Sequence, residues 1–201
     1  MNFVDLKNTL ESKGYIVAVF ETAGDAAEYI NRAIDGKTVG MGGSVTIEEM
    51  GLYEKLSEHN KVYWHARTYA DMTPDEVRAS ANKADIYISS VNGLAQTGEI
   101  VNIDGACNRV SSICYGHEKV YFVIGRNKIA PDYDSALLRA RNIAAPKNAK
   151  RLNRKTPCAV NADKCYNCSS PERICRVLSV WWAKPSLGEY EIVLINEELG
   201  Y

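Results

Sequence analysis

Short apolar runs of strand length alternate with amphipathic segments along most of this chain. The runs "YIVAVF", "DIYISS", "KVYFVIG" and "YEIVLI" are rich in apolar residues, as expected of strands that are covered on both faces. Segments between strands, such as "TAGDAAEYINRAID", "SVTIEEMGLYEKLSEHN" and "TPDEVRASANKA", are predicted to be single helices. This alternation predicts an α/β fold of three layers, with helices on both faces of a mainly parallel sheet.

Length and composition fit one globular domain over residues 1–201. The chain has 46% hydrophobic and 24% charged residues, which is ordinary for a globular protein. A helical segment dense in Lys and Arg follows Pro131 and leads into a cysteine-rich loop at 156–176. We therefore expect a C-terminal helical and cysteine-loop segment within that domain.

The N-terminal sequence does not have the pattern of a signal peptide, and no apolar run approaches membrane-spanning length. We expect a soluble, cytoplasmic protein without membrane insertion. The net charge of -1 predicts no general attraction to nucleic acid. Any anionic partner, such as a small anionic substrate, must be bound by local charges.

A glycine-rich stretch, "VGMGGSVTIEEMG", joins an expected strand to an expected helix. Gly40, Gly42 and Gly43 allow the backbone to approach an anion, and Ser44 or Thr46 can cap the helix. The stretch has neither the Lys of a Walker loop nor the GxGxxG spacing. The sequence predicts an anion site here, and a tight strand-to-helix turn is the alternative.

Polar residues are concentrated directly after the "DIYIS" strand, where parallel sheets gather ligand-binding loops. The stretch contains Asn92, Gln96, Thr97, Glu99, Asn102, Asp104, Asn108 and Arg109. Glu99 or Asp104 is a candidate general base or nucleophile, and Arg109 is a candidate partner for a substrate carboxylate or phosphate. The alternative is a hairpin whose Asn and Asp side chains stabilise turns.

The end of the strand in "KVYFVIGRNK" supplies Gly125 and Lys128. Lys128 is a candidate fixed cation over the same crevice, and a solvated lysine is the alternative. Of the three histidines, only His65 is expected to face the crevice. The predicted ligand-binding residues are thus Gly40, Gly42, Gly43, Ser44, Thr46, Asn92, Asn108, Arg109 and Gly125, and the predicted catalytic residues are Glu99, Asp104 and Lys128.

Several segments together resemble the lactate-utilisation (LUD) domain family. They are "GMGGSVTIEEMGL", "DIYISSVNGLAQTGEIVNIDGACNRVSSICYG", "VYFVIGRNKI", "ALLRARNIAAPKNAKRL" and "PCAVNADKCYNCSSPERIC". The resemblance spans nearly the whole chain. It implies the fold shared by glucosamine-6-phosphate deaminase, ribose-5-phosphate isomerase and CoA transferases, in agreement with the α/β/α prediction.

The resemblance also implies roles for particular residues. In those relatives a glycine loop holds a phosphate, an acyl oxyanion or a CoA thioester, and the stretch 40–44 matches it by position. In CoA transferases a later Glu carries the acyl group, and Glu99 is the nearest match. For the LUD family the implied role is accessory, in the oxidation of lactate or related 2-hydroxy acids together with iron-sulfur oxidoreductase subunits.

Four of the six cysteines, Cys158, Cys165, Cys168 and Cys175, lie in "CAVNADKCYNCSSPERIC". Cys165 and Cys168 form a C-x2-C pair, and four thiolates complete the ligand set of zinc or of an iron-sulfur cluster. Reduced structural thiols, or a disulfide or redox pair, are the alternatives. The redox partners implied by the resemblance favour a cluster over zinc.

Two functional hypotheses follow, and the sequence leaves open whether the protein is an enzyme. In the first, it is a metal- or iron-sulfur-binding accessory component of 2-hydroxy-acid oxidation. In the second, it is a transferase, isomerase or hydrolase acting on a small phosphorylated, carboxylated or CoA-linked substrate at the glycine loop. Trp181 and Trp182 are expected to face opposite sides of a strand, so a homodimer interface or the cysteine loop would have to cover one of them.

Overall fold

The computed structural model of the protein describes residues 3–201. Its helices are α1 (Val4–Ser12), α2 (Ala23–Ala33), α3 (Val45–Glu49), α4 (Leu52–Ser57), α5 (Pro74–Ala81), α6 (Asn108–Cys114), α7 (Tyr133–Arg139), α8 (Ala145–Arg151) and α9 (Pro157–Asn161). Its strands are β1 (Ile16–Phe20), β2 (Thr38–Met41), β3 (Lys61–Trp64), β4 (Ile86–Ser89), β5 (Gly93–Ala95), β6 (Ile100–Asp104), β7 (Lys119–Gly125), β8 (Ile129–Ala130), β9 (Val177–Trp181) and β10 (Glu189–Ile195).

Six of the strands within residues 3–201 form a central sheet with the order β1-β10-β7-β4-β2-β3, and every neighbouring pair is parallel. The predicted α/β class and parallel sheet are confirmed. β7 and β10 are buried along nearly their whole length, because helices or a second sheet cover both of their faces. β1 lies at the edge and leaves Ile16 and Val19 partly exposed.

The core lies on both faces of the central sheet. On one face Ile30 of α2, Ile47 of α3 and Leu56 of α4 are fully buried against the sheet. On the other face Leu10 of α1 and Ile113 of α6 are equally buried. Helices on both faces give the three-layer α/β/α arrangement that the sequence predicts.

A smaller, mixed sheet with the order β8-β5-β6-β9 lies on the α1 side of the central sheet. β5 and β6 form an antiparallel hairpin, and β9 pairs with β6. Leu94, Ile100 and Trp181 pack toward the central sheet, while Val101 packs against α7. The polar stretch after β4 therefore forms the hairpin that the sequence offers as an alternative. Trp182 is exposed within the part of the chain that the structure describes.

The sequence predicts one helix over 44–60, whereas the structure divides this segment into α3 and α4. Gly51 between them has a φ angle of 61°, which residues with a Cβ atom rarely adopt. Its left-handed conformation turns the chain, so that α3 and α4 both pack on the same face of the sheet.

The Lys- and Arg-rich segment forms a nearly continuous helical stretch from α7 to α8. A π-helical turn, Ala140–Ala144, joins the two helices, and the N–H of Ala145 donates to the carbonyl of Ala140. Pro146 follows at once and has no N–H to donate, so the wider turn before it fits the start of a new helix. No helix within residues 3–201 is long and apolar enough to cross a membrane.

The glycines of the 40–44 stretch differ in how closely other atoms surround them. A Cβ atom on Gly40 would lie 2.3 Å from the carbonyl oxygen of Ala81 in α5, whereas one on Gly43 would lie 3.4 Å from His65. Gly40→Ala is therefore expected to lower the free energy of unfolding by about 1–3 kcal/mol, the usual cost of overpacking. Urea unfolding measures this, with Gly43→Ala as the matched control. Equal stabilities of the two variants would contradict the close packing of α5 on β2.

Candidate functional site

A cavity of about 650 Å³ lies at the carboxyl ends of the central strands. Gly43 and Ser44 follow β2, His65 follows β3, Ser90 follows β4 and Lys128 follows β7, and all of them line the cavity. Crevices at the carboxyl ends of parallel strands are where open α/β sheets bind ligands. We name this space the cation cavity, for the charges described below.

The glycine loop forms one wall of the cation cavity. A Cβ atom on Gly42 would lie 3.1 Å from Cγ of Arg109 and 3.2 Å from the hydroxyl of Ser89. Ser44 caps α3 by accepting a hydrogen bond from the N–H of Ile47 (3.4 Å). The small residue at position 42 therefore lets the Arg109 side chain lie directly against the loop.

Lys128 is almost completely buried at the base of the cavity, with 3% of its surface exposed. Its Nζ atom lies 2.8 Å from the hydroxyl of Thr46 and 2.8 Å from that of Ser90. Thr46 is fully buried and contributes to the site as a hydrogen-bond partner of the lysine. Lys128 therefore lies at the predicted crevice, and its side chain is buried rather than solvated.

The pKa of Lys128 is lowered to about 7, chiefly by burial and also by the positive charges of Arg139 and Arg109, against the weaker, opposite effect of Glu49. Arg139 is held in place because its guanidinium donates to the carbonyls of Asn127 (2.7 Å) and Asn92 (2.6 Å). It thereby connects α7 to the loops after β4 and β7. Lys128 is thus largely uncharged at slightly alkaline pH.

Asp104 and Arg109 organise the loop that follows β6. The Asp104 carboxylate accepts hydrogen bonds from the backbone N–H groups of Gly105 (2.7 Å), Cys107 (3.2 Å) and Val110 (3.1 Å). Arg109 donates to the carbonyl of Ile103 (2.6 Å) and lies 3.7 Å from Asp104. The carboxylate therefore holds the loop and the start of α6 in place, and both charged side chains line the cavity.

His65 lies in the same cavity and contacts no carboxylate within 4.0 Å in the described structure. Burial lowers the pKa of His65, and the nearby charges of Arg78 and Arg151 act in the same direction. The imidazole is therefore neutral at pH 7 and can both accept and donate a proton.

Positive charge dominates the described lining of the cavity. Its cationic residues are Arg78, Arg109, Lys128, Arg151, Arg154, Arg173 and Arg176, against the two carboxylates Asp104 and Glu172. Arg78 pairs with Asp75 at 2.5 Å and Arg109 with Asp104, whereas within residues 3–201 the other four arginines have no carboxylate within 4.0 Å. A chain with a net charge of -1 thus concentrates uncompensated positive charge in one crevice.

Most predicted site residues meet at this cavity, and some do not. Gly43, Ser44, Asn92, Asp104, Asn108, Arg109 and Lys128 line it. Glu99 lies instead in the β5–β6 turn, where it accepts a hydrogen bond from Thr97 and lies 3.7 Å from Lys13. Gly40 packs against α5, and Gly125 packs against the backbone at Glu197 and Leu199. The structure therefore does not bring Glu99, Gly40 or Gly125 to the cavity lining.

Sequence reasoning missed several lining residues, chiefly Arg78, Ser90, Arg151, Arg154, Arg176 and Tyr201. The sequence feature that could have indicated some of these arginines is the high density of Lys and Arg after Pro131. Arg151 and Arg154 come from that segment, and Tyr201 accepts a hydrogen bond from the Nε atom of Arg151 (2.8 Å). Which of these arginines face the sheet depends on contacts between elements far apart in the chain.

A second cavity, of about 310 Å³, is lined by all four clustered cysteines, Cys158, Cys165, Cys168 and Cys175. None of the chain's cysteines forms a disulfide in the structure. Within residues 3–201, no three His, Cys, Asp or Glu side chains lie close enough together to hold a metal ion. The fold thus brings the four predicted cysteine ligands to one cavity, which we name the thiol cavity. Their sulfur atoms are not grouped closely enough there to bind one metal ion.

Arg173 lines both cavities. Its guanidinium donates to the carbonyls of Cys168 (2.8 Å) and Cys175 (3.1 Å) and lies 3.4 Å from the Cys175 sulfur. Arg141 approaches the Cys165 sulfur at 3.9 Å. Both arginines therefore place positive charge beside the sulfur atoms of the thiol cavity.

Comparison with known proteins identifies the family. The family model described as the LUD domain matches residues 5–195. The chain belongs to the LUD-domain family. The match covers almost all of the central sheet and both cavities. No curated protein matches this LUD-domain chain.

One solved structure supports the fold. A DUF162 family protein from Deinococcus radiodurans, at 10% identity, matches 95% of this chain and 94% of that chain with a TM-score of 0.54. A second structure, eIF2B beta from Chaetomium thermophilum, matches 65% of this chain and 43% of that chain at 14% identity, with a TM-score of only 0.33. The first comparison shows that the two chains share a fold, and the second carries no further weight.

The lowered pKa of Lys128 predicts how stability depends on pH. Between about pH 7 and 10 the amine is protonated in the unfolded chain, where its ordinary pKa is 10.5, but not in the folded protein. Unfolding therefore takes up a proton, and this group makes the free energy of unfolding rise with pH, by roughly 1 kcal/mol per pH unit. Urea unfolding at pH 7, 8 and 9 measures the slope for the wild type.

The Lys128→Met variant isolates this contribution from those of other titrating groups. Met keeps the apolar stem and removes the amine, so the variant is expected to gain most stability relative to the wild type at pH 7 and least at pH 9. Parallel pH profiles for the two proteins would show that the amine titrates near its ordinary value.

Proposed function

We propose that the protein is an enzyme that acts on a small phosphorylated or carboxylated molecule held in the cation cavity. The observation that carries the proposal is the set of four lining arginines without a carboxylate partner, Arg151, Arg154, Arg173 and Arg176. Arg151, Arg154 and Arg176 are exposed, so an anionic ligand can reach their guanidinium groups and gain charge-assisted hydrogen bonds there. The family match supports the proposal only at the level of the fold.

Different lining residues suit different parts of such a reaction. Arg151, Arg154 and Arg176 are suited to the negative charges of the ligand, because they carry a fixed charge with several donors. Lys128 and His65 are suited to proton transfer or attack on the ligand, because burial lowers the pKa of both groups. Asp104 is engaged by three backbone N–H groups and is suited to positioning Arg109.

Anion binding is the direct test. We expect inorganic phosphate and pyrophosphate to bind the wild-type protein in isothermal titration calorimetry at low ionic strength. Arg154→Gln should weaken pyrophosphate binding by about tenfold to a hundredfold, the usual effect of losing one hydrogen bond to a charged group. Arg154 suits this test because its side chain has no carboxylate partner within 4.0 Å in the described structure.

Arg32→Gln is the matched control, since Arg32 lies on α2, pairs with Glu28 and is not part of the cavity lining. It should leave pyrophosphate affinity unchanged. An equal loss in both variants would reflect the overall charge of the protein, and no detectable binding of either anion to the wild type would contradict the proposed function.

The thiol cavity supports a second candidate function, as a zinc- or iron-sulfur-binding accessory component of lactate or 2-hydroxy-acid oxidation. The observation that favours it is the convergence of Cys158, Cys165, Cys168 and Cys175 on one cavity. Four thiolates suit either group chemically, and they would be its ligands once the loop closes around it. A bound cluster would supply one-electron transfer to iron-sulfur oxidoreductase subunits.

Metal analysis of protein purified without oxygen tests this candidate. We expect iron with acid-labile sulfide, or zinc, in the wild type, and its loss in Cys168→Ser. Because the central sheet has its own core, that variant should stay folded while the segment 158–175 becomes sensitive to protease. Cys114→Ser is the control, since Cys114 lies outside the thiol cavity. A wild type that contains neither metal nor sulfide, with four thiols that react freely, would contradict the metal site.

A further inference from the structure

The hydrogen bonds around Lys128 leave one position of its nitrogen free. The hydroxyl of Ser90 donates to the carbonyl of Val123 (2.6 Å), and the hydroxyl of Thr46 donates to the carbonyl of Leu199 (3.2 Å). A hydroxyl has one hydrogen, so each of these oxygens must accept from Nζ of Lys128. Two N–H groups of the amine are thereby satisfied.

The remaining position of the nitrogen meets no protein acceptor among residues 3–201. The two hydroxyls are the hydrogen-bond partners of Nζ, and no carboxylate lies within 4.0 Å of it. An ammonium group would carry a third, unpaired N–H in this buried place, which is unfavourable. A neutral amine carries a lone pair there instead, and because Lys128 lines the cation cavity, a molecule in the cavity can meet it.

From this geometry we propose that Lys128 forms an imine with aldehydes or ketones that carry a carboxylate or phosphate. The nitrogen lone pair attacks the carbonyl carbon and forms a C–N bond, while the carbonyl oxygen takes up a proton. The two hydrogens of the amine finally leave with that oxygen as water, and a C=N bond remains. No oxidant or reductant takes part.

The inference that the carbonyl substrate is anionic rests on the proposed function, because the same lining arginines would bind its carboxylate or phosphate. Arg151, Arg154 and Arg176 lie on α8, on the segment after it and at the end of the cysteine loop, whereas Lys128 follows β7. The residues that would hold the negative charge are therefore on other elements than the amine. The lowered pKa of Lys128 agrees with a nucleophilic role.

Reductive trapping with two small probes tests the proposal. Glyoxylate and acetaldehyde are both two-carbon aldehydes, and only glyoxylate carries a carboxylate. Each is incubated with the full-length protein and sodium cyanoborohydride at pH 7.5, and the modified lysines are located by mass spectrometry of peptides. We expect glyoxylate to modify Lys128 about tenfold faster than acetaldehyde does, the effect of one charge-assisted hydrogen bond, and excess phosphate to slow this reaction.

The exposed lysines of the same sample are the internal reference, since both aldehydes should modify them without such a preference. Lys128→Met should lose the cavity adduct only. Arg154→Gln should lower the rate with glyoxylate at Lys128 and leave the rate with acetaldehyde unchanged.

The outcomes separate this inference from the proposed function. Phosphate binding without any adduct at Lys128 would overturn the imine and leave the anion site standing. Equal rates of the two aldehydes at Lys128 would overturn the anionic substrate class. If neither phosphate nor pyrophosphate binds, the proposed function fails, and the substrate class inferred here fails with it.

Discussion

The hydrogen bonds of the buried Lys128 amine hold together parts of the molecule that are far apart in the chain. Thr46 belongs to α3 after β2, Ser90 follows β4, and Lys128 follows β7, so one amine joins the carboxyl ends of three neighbouring strands. Through the Thr46 hydroxyl the same network reaches the backbone at Leu199. The shape of the cation cavity depends on this junction, because its walls are the loops that the amine connects.

The central sheet could be predicted from sequence because each of its buried strands is an apolar run that needs cover on both faces. The second sheet could not be predicted, for a physical reason. β5 spans only Gly93–Ala95, its neighbour β8 spans only Ile129–Ala130, and β9, which pairs with β6, lies far away in the chain. Such strands are stabilised by pairing with their neighbours and do not have a long apolar pattern of their own. A polar hairpin therefore cannot be distinguished from a ligand-binding loop by sequence alone.

The part of the candidate site that follows from the parallel sheet could be predicted from sequence. Parallel strands bring their carboxyl ends together, so the residues just after β2, β4 and β7 were expected to meet, and Ser44, Asn92 and Lys128 do. The burial of Lys128 was not predictable, because it arises from hydroxyls supplied by other loops. The arginines after Pro131 were visible only as a basic segment, since the π-helical turn and the path of the cysteine loop determine which of them face the cavity.

The positive charges of the cavity have two opposed effects on Lys128. They lower the pKa of its amine, and they also attract anions, which would raise that pKa. Arg109 and Arg139 help to keep the amine neutral by lowering its pKa. A ligand anion placed directly beside the amine would raise that pKa again and favour the protonated, unreactive form. Arginines on α8 and the cysteine loop can pair with the negative charge of the ligand and so weaken its effect on the pKa of Lys128. A cavity with many cations on separate elements can therefore both attract an anionic ligand and preserve a neutral amine.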